Sequence, residues 1–310
     1  MNRRFAVISD IHSNWHALRR VLDDIDASKV EDVWCLGDLV GYGPDPLRCW
    51  QELAENRALG LTGWVAGNHD WGLVGRLESR FFVDLLKDFN GPVGDFGPDA
   101  WDVLLKQRTV LGSYVFDHLR TLPLLVSPVS HVYLAHGSYS EDPRMIIGHY
   151  AKVPMDAEDS LRSLRAMTSQ LADANWQDVP RQVGEAWRAP HLMLVGHTHK
   201  VSALQPRDGE IDGSRWLDQT LELENRTVWF DQIEHRPVFA NPGSVGFSND
   251  SAPGHATYLI VDWQETRVGL TLRRLSYDPC PVIEAMQRAG TPSSVMRRID
   301  PGNCPKASRS

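Results

Sequence analysis

The sequence predicts an α/β fold whose functional groups stand at the C-terminal ends of buried strands. Three observations carry that reading. Five short apolar runs, rich in Val, Leu and Ile, each pass directly into glycine and polar residues, as strands buried on both faces do. Amphipathic helical patterns lie between several of these runs. Late in the chain, two strand-like segments flank a turn-prone tetrapeptide and read as an antiparallel hairpin.

The elements follow in order. Phe5-Ala-Val-Ile-Ser9 runs into Asp10-Ile-His12, and a helix over Asn14–Ser28 follows with Leu18, Val21, Leu22 and Ile25 on one face. Val33–Leu36 runs into Gly37-Asp38, and Pro46–Asn56 has a second helical pattern. Trp64–Ala66 delivers Gly67-Asn68-His69-Asp70, Val132–Ala135 delivers His136-Gly137, and Leu192–Val195 delivers Gly196-His197-Thr198-His199. The hairpin joins Thr257–Asp262 to Val268–Arg273 through Gln264–Arg267. Two stretches exceed what this skeleton needs: 139–190, with a helix expected over Asp156–Ala174, and 206–236, with a short hairpin expected around Leu221–Ile233. Insertions between site-bearing strands are natural places for substrate selection. Residues 1–300 then read as one domain and 301–310 as a frayed tail.

Composition narrows the classes. A chain of 310 residues with 42% hydrophobic content can bury a sizeable core. Its longest apolar runs fall far short of the roughly 20 residues of a membrane span, and the start of the chain lacks the pattern of a signal peptide. Cys35, Cys49, Cys280 and Cys304 form no C-x-x-C pair and no dense framework, which favours a reducing cytoplasm. A formal charge of −8 disfavours broad affinity for nucleic acid, which needs clustered Lys and Arg. It leaves room for a small phosphorylated substrate, because bound cations reverse the local field. Nothing in the composition signals an oligomeric state.

Taken singly, Asp10-x-His12 is a solvated turn, Gly37-Asp38 is ordinary turn chemistry, Asn68 is a left-handed turn residue and His136 is a histidine satisfied by backbone. The joint pattern overrides these readings, because all five motifs hold the same position relative to a strand. Asp10, His12, Asp38, Asn68, His136, His197 and His199 are too many ligands for one tetrahedral ion. If Asp38 bridges, seven side chains supply eight bonds, four to each of two metals roughly 3.5–4 Å apart, the arrangement suited to in-line displacement at phosphorus. A water shared by the metals would then ionise near neutral pH and attack. In an extended chain His197 and His199 would project to one side, with Thr198 turned away. His69 would face the substrate, stabilising charge or protonating the leaving oxygen, with Asp70 orienting its ring.

These motifs, in this order, resemble the signature of the calcineurin-like metallophosphoesterase superfamily, over roughly Phe5 to Ser276. The resemblance implies a four-layer αββα sandwich of two packed mixed sheets flanked by helices. It also implies the partition of ligands: Asp10, His12, Asp38 and His199 on one metal, and Asp38, Asn68, His136 and His197 on the other. His69 is implied in transition-state stabilisation, and the metals are drawn from Mn, Fe, Zn, Co and Ni. "SDIHSNWHAL", "GDLVGYGPDP", "AHGS" and "NPGSVG" are similar to small bacterial phosphoesterases of the YfcE-type and diadenosine tetraphosphatase-like group. The protein Ser/Thr phosphatase branch typically carries Asp-Arg-Gly where this chain has Val40-Gly-Tyr-Gly-Pro44. Related sequences often follow "NPGSVG" with a polar run containing Pro-Arg, whereas this chain places Phe247 there, a residue that could stack on a base and is read in preference as core packing.

Substrate contacts are expected from Asn68 and His69, from the amides at Gly243 and Ser244 if these are not merely a tight turn, and from Tyr42 and Arg144. The reading is a dinuclear metal phosphoesterase acting on a small phosphodiester, cyclic nucleotide or nucleotide polyphosphate. A phosphomonoesterase on the same site is the alternative. A nuclease is disfavoured by charge, and a non-catalytic scaffold by the complete ligand set.

Overall fold

A computed structural model describes residues 2–30, 32–74, 98–123, 125–137, 191–206, 216–218, 222–249 and 251–304. In chain order the elements begin with β1 (Arg3–Ile8), α1 (Trp15–Ala27), β2 (Asp32–Cys35), α2 (Pro46–Ala54), β3 (Leu61–Trp64) and α3 (Asn68–Leu73). Next come α4 (Pro98–Val110), α5 (Ser113–Thr121), β4 (Leu125–Val129), β5 (Val132–Ala135), β6 (Leu192–Leu194), β7 (Val201–Pro206) and β8 (Trp216–Asp218). The last are β9 (Val228–Asp231), β10 (Val238–Pro242), β11 (His255–Trp263), β12 (Arg267–Ser276), α6 (Cys280–Arg288) and α7 (Ser293–Met296).

The strands form two six-stranded mixed sheets, β3-β2-β1-β11-β12-β9 and β4-β5-β6-β10-β7-β8. All five motif-bearing strands are internally parallel within their sheet: β1 with β2, β2 with β3, and β5 with β6. Alternation of side chains along β1 builds two cores at once. Phe5 and Val7 join Trp34, Leu134, Leu194 and Ala240 between the sheets, while Ala6 and Ile8 meet Leu18, Val21, Leu22 and Ile25 of α1 on the outer face. Each fully buried Leu or Ile of this kind contributes about 1.5–3 kcal/mol. Asn14 starts α1 by accepting from the Ala17 N–H at 3.2 Å, satisfying one orphan donor of the first turn.

The expected pair of packed mixed sheets is therefore present, with helices against the first sheet. The helix expected over Asp156–Ala174 lies outside the described residues. The hairpin expected around Leu221–Ile233 is corrected: β9 pairs with β12 through Asp231↔Arg267 to Val228↔Leu270, not with a neighbour of its own. Val228 and Phe230 are buried between the sheets and Trp229 is exposed, so this is an edge strand with one apolar face. The cysteine pattern suggested no pairing, yet Cys280 and Cys304 form a disulfide with Cα atoms 5.1 Å apart, while Cys35 and Cys49 are free and buried. That link fastens residues expected to fray. No described helix is long and apolar enough to cross a membrane.

Candidate metal centre

Strand register brings the five motifs to one place. Ile8 pairs with Cys35 and Cys35 with Trp64, so β1, β2 and β3 end level with one another, and β5 and β6 end level in the facing sheet. The chain must turn sharply as each strand ends. Asp10, His12, Asp38, His197 and His199 all have positive φ, between 49° and 68°. For non-glycine residues that conformation is uncommon and clusters at functional sites. Glycine supplies the close approach: a Cβ on Gly67 would strike the Asp38 carboxylate, and one on Gly196 would strike Ser9 and Asp10.

Asp10, His12, Asp38, Asn68, His136, His197 and His199 are all buried. Candidate ligand atoms gather in three overlapping groups, Asp10 with His12 and His199, His12 with Asp38 and His69, and Asp38 with His136 and His197, each within 4.8 Å. Three rings are aimed by backbone. His12 Nδ1 lies 2.9 Å from Val40 O, His136 Nδ1 lies 2.7 Å from Leu36 O, and His199 Nδ1 lies 2.6 Å from Phe247 O. A ring that donates from Nδ1 presents the lone pair of Nε2, which is how metal-binding histidines are held.

Those lone pairs converge. His12 Nε2 and His199 Nε2 stand 2.9 Å apart, a spacing that two acceptors do not hold without a proton or cation between them. Asp10 Oδ1 is buried without a hydrogen-bond partner, 3.2 Å from His199 Nε2 and 3.8 Å from His12 Nε2. Asp38 Oδ2 lies 3.2 Å from His136 Nε2 and 3.7 Å from His12 Nε2, so it faces both groups. Asn68 Oδ1 lies 3.2 Å from His136 Nε2. The donor set is oxygen and imidazole throughout, and it fits divalent cations.

The electrostatics match. Burial, with His69 and His199 beside it, holds His12 well below its ordinary value; burial and His136 do the same to His197. Both rings are therefore neutral and able to coordinate. Burial pushes the Asp38 carboxyl up, but His136, His69 and His12 outweigh it and hold Asp38 far below the usual carboxylate range. Burial pulls His136 down, yet Asp38 wins and pushes it up to about 10, so a metal at its Nε2 must first displace a proton.

The chain matches the model of calcineurin-like phosphoesterases over residues 3–253. It belongs to that family. This calcineurin-like phosphoesterase is thus a phosphoric ester hydrolase by family, and the family typically binds divalent metals. It is 25% identical over 298 residues to an uncharacterized protein of Methanocaldococcus jannaschii, covering 95% of this chain and 96% of the relative. It is 26% identical to a metallophosphoesterase of known structure from Sphaerobacter thermophilus, with TM-score 0.63 and coverage of 96% of this chain and 98% of the other. A bis(5'-nucleosyl)-tetraphosphatase, symmetrical, from Erwinia tasmaniensis is 40% identical over 70 residues, 22% of this chain and 24% of that one.

Several expected roles are corrected by the geometry of this calcineurin-like phosphoesterase. Asp70 was expected to orient the His69 ring; instead Oδ2 accepts from the N–H groups of Asp38 and Gly67, and Oδ1 from Leu39 and Val40, at 2.9 to 3.3 Å. Burial and the Asp38 charge push its carboxyl up to about 7, against those four donors. Gly243 and Ser244 were expected to offer amides to phosphate. The Gly243 N–H donates to Asn241 Oδ1 and the Ser244 N–H to Thr257 Oγ1, so the tight-turn reading holds. His197 and His199 are not extended, since β6 stops at Leu194 and both occupy left-handed turns. Thr198 is turned away and held by Asn241 Nδ2 at 3.0 Å.

Tyr42 is buried, its ring 4.5 Å from that of His12 and 4.7 Å from that of His69. Phe247 is fully buried, as its core reading required. Arg144 lies outside the described residues. Two residues carried no sequence signal. Gln107 of α4 accepts from the Gly41 N–H and donates to Gly43 O and Ser13 Oγ, bracing the loop after Asp38. Arg298 reaches His199 from the C-terminal segment.

Proposed function

We propose that this protein hydrolyses a small phosphodiester, cyclic nucleotide or nucleotide polyphosphate with two divalent metal ions. Asp10, His12, Asp38 and His199 would hold one ion, and Asp38, Asn68, His136 and His197 the other. The observation that supports this best is Asp38 Oδ2, which faces His12 on one side and His136 on the other. When bound, two such ions neutralise phosphoryl oxygens and generate a nucleophile from water at neutral pH.

The side chains supply the rest. The His69 N–H donates to Asp38 Oδ1 at 2.8 Å, locking the start of α3 to the bridging carboxylate and setting where the ring stands. Its ring is buried edge-on to His12 and against Tyr42, with a nitrogen within 4.8 Å of ligand atoms of His12 and Asp38. There it donates a proton to the leaving oxygen or to developing charge. The stretch shared with a bis(5'-nucleosyl)-tetraphosphatase supports the nucleotide-polyphosphate end of the substrate range.

Purified protein with Mn is expected to turn over bis-p-nitrophenyl phosphate faster than p-nitrophenyl phosphate. His69→Ala and Asp38→Asn are each expected to lower kcat/KM by about a hundredfold or more. Unchanged turnover in both variants sinks the assignment.

A further inference from the structure

Arg298 follows α7 by two residues and places a cation beside the ligand cluster. One terminal guanidinium nitrogen, Nη2, lies 3.2 Å from His199 Nδ1 and 3.2 Å from Asn249 Oδ1. The guanidinium carbon sits 4.6 Å from the centre of the Tyr42 ring and 5.9 Å from that of Phe247. His199 Nδ1 already faces Phe247 O at 2.6 Å, so a ring that donates there cannot accept from Arg298. Among the described residues, Asn249 Oδ1 is then the one acceptor for a group with five N–H donors, and no carboxylate pairs with it.

The segment is held in place. Val295 and Ile299 are buried with Val282, Ile283 and Met286, and the Cys280–Cys304 link closes the chain around them. A half-buried guanidinium laid on two aromatic faces, with donors to spare, is built to take an anion.

Its position says which anion. Arg298 touches the outer nitrogen of His199, whereas the inner nitrogen faces Asp10 and His12. An imidazole ring therefore separates the guanidinium from the ligand atoms. An anion that engages both must extend beyond one phosphoryl group.

We propose that Arg298 anchors a second phosphoryl group, joined to the one that is attacked, so that the substrates are compounds with two or more linked phosphoryl groups. This rests on the two-metal reading above and narrows it. Simple diesters then serve as minimal substrates that leave Arg298 unused.

The test is calorimetric binding of AMP and ADP, which differ by one phosphoryl group, to the Mn-loaded protein and its Arg298→Ala and Arg298→Lys variants. The wild type is expected to prefer ADP by about tenfold or more, about 1.4 kcal/mol. Arg298→Ala is expected to bring the ADP to AMP ratio close to one, and Arg298→Lys to keep part of it. Equal binding of AMP and ADP by the wild type overturns the proposal, as does an unchanged ratio in Arg298→Ala. An equal loss for both nucleotides in that variant also overturns it, since the guanidinium would then act on the attacked group or on His199. Should Arg298→Ala unfold, Arg298→Gln carries the same comparison. Failure of the wild type to hydrolyse bis-p-nitrophenyl phosphate would refute the esterase reading separately, while the nucleotide ratio still decides the role of Arg298.

Discussion

Asp38 divides its carboxylate between two tasks. Oδ1 accepts from the backbone N–H of His69, while Oδ2 faces His12 and His136, so a single oxygen stands between the two groups. The carboxylate can do this because Asp70 fixes its backbone from behind, taking the N–H groups of Asp38, Leu39 and Val40. Asp70→Asn would turn an amide NH2 toward two of those donors. We expect the Mn affinity of that variant to fall by about 10–100-fold, the usual cost of losing a group that orients metal ligands. A Mn titration giving wild-type affinity would show that the loop holds its shape without the carboxylate. None of this could be read from Asp70 in the sequence: its neighbour His69 is adjacent in the chain, while three of the four amides it binds are some thirty residues away.

At the scale of elements, short strands and glycine turns account for most of what was legible. Five apolar runs mark five strand ends because each strand is too short to hide its polar successor. Helix boundaries were legible at α1, where Asn14 caps and Leu18, Val21, Leu22 and Ile25 form one buried face. They were not legible at α4 and α5, whose apolar positions are interrupted by charged and polar residues. The turn geometry of His197 and His199 was also hidden, since a two-residue spacing fits an extended strand and a left-handed turn alike.

Helix α1 is fixed to the first sheet by Asp24, which accepts from Arg273 Nε and Nη2 at 2.9 Å each and from the Tyr258 hydroxyl at 2.7 Å. Burial raises the Asp24 carboxyl, but the hydrogen bonds from Arg273 and Tyr258 outweigh it and hold it below its ordinary value. A carboxyl depressed in the folded state stabilises above its unfolded pKa, roughly 3.9, and the gain disappears as pH falls through the lower folded value. Asp24→Asn is therefore expected to cost about 1.5–3 kcal/mol at pH 7 in urea unfolding. The gap to wild type should begin to narrow near pH 4 and close only below the depressed folded value, and a gap independent of pH would show that packing, not charge, carries the contact.

At the scale of the whole molecule, two facing sheets deliver their strand ends to one point, and this convergence is what turns seven unremarkable residues into a cluster. The cluster was legible because its members repeat one local pattern. Arg298 was not, because it belongs to no strand end and reaches the site only through packing of the C-terminal segment and the Cys280–Cys304 link. The geometry puts His199 with Asp10 and His12, and His197 with Asp38 and His136. Metal content per chain tests that division most directly. After Mn loading and removal of free metal, elemental analysis is expected to find two ions in the wild type and one in each of His197→Ala and His199→Ala. One ion in the wild type, or loss of both ions in either variant, would contradict a centre built from two separable sites.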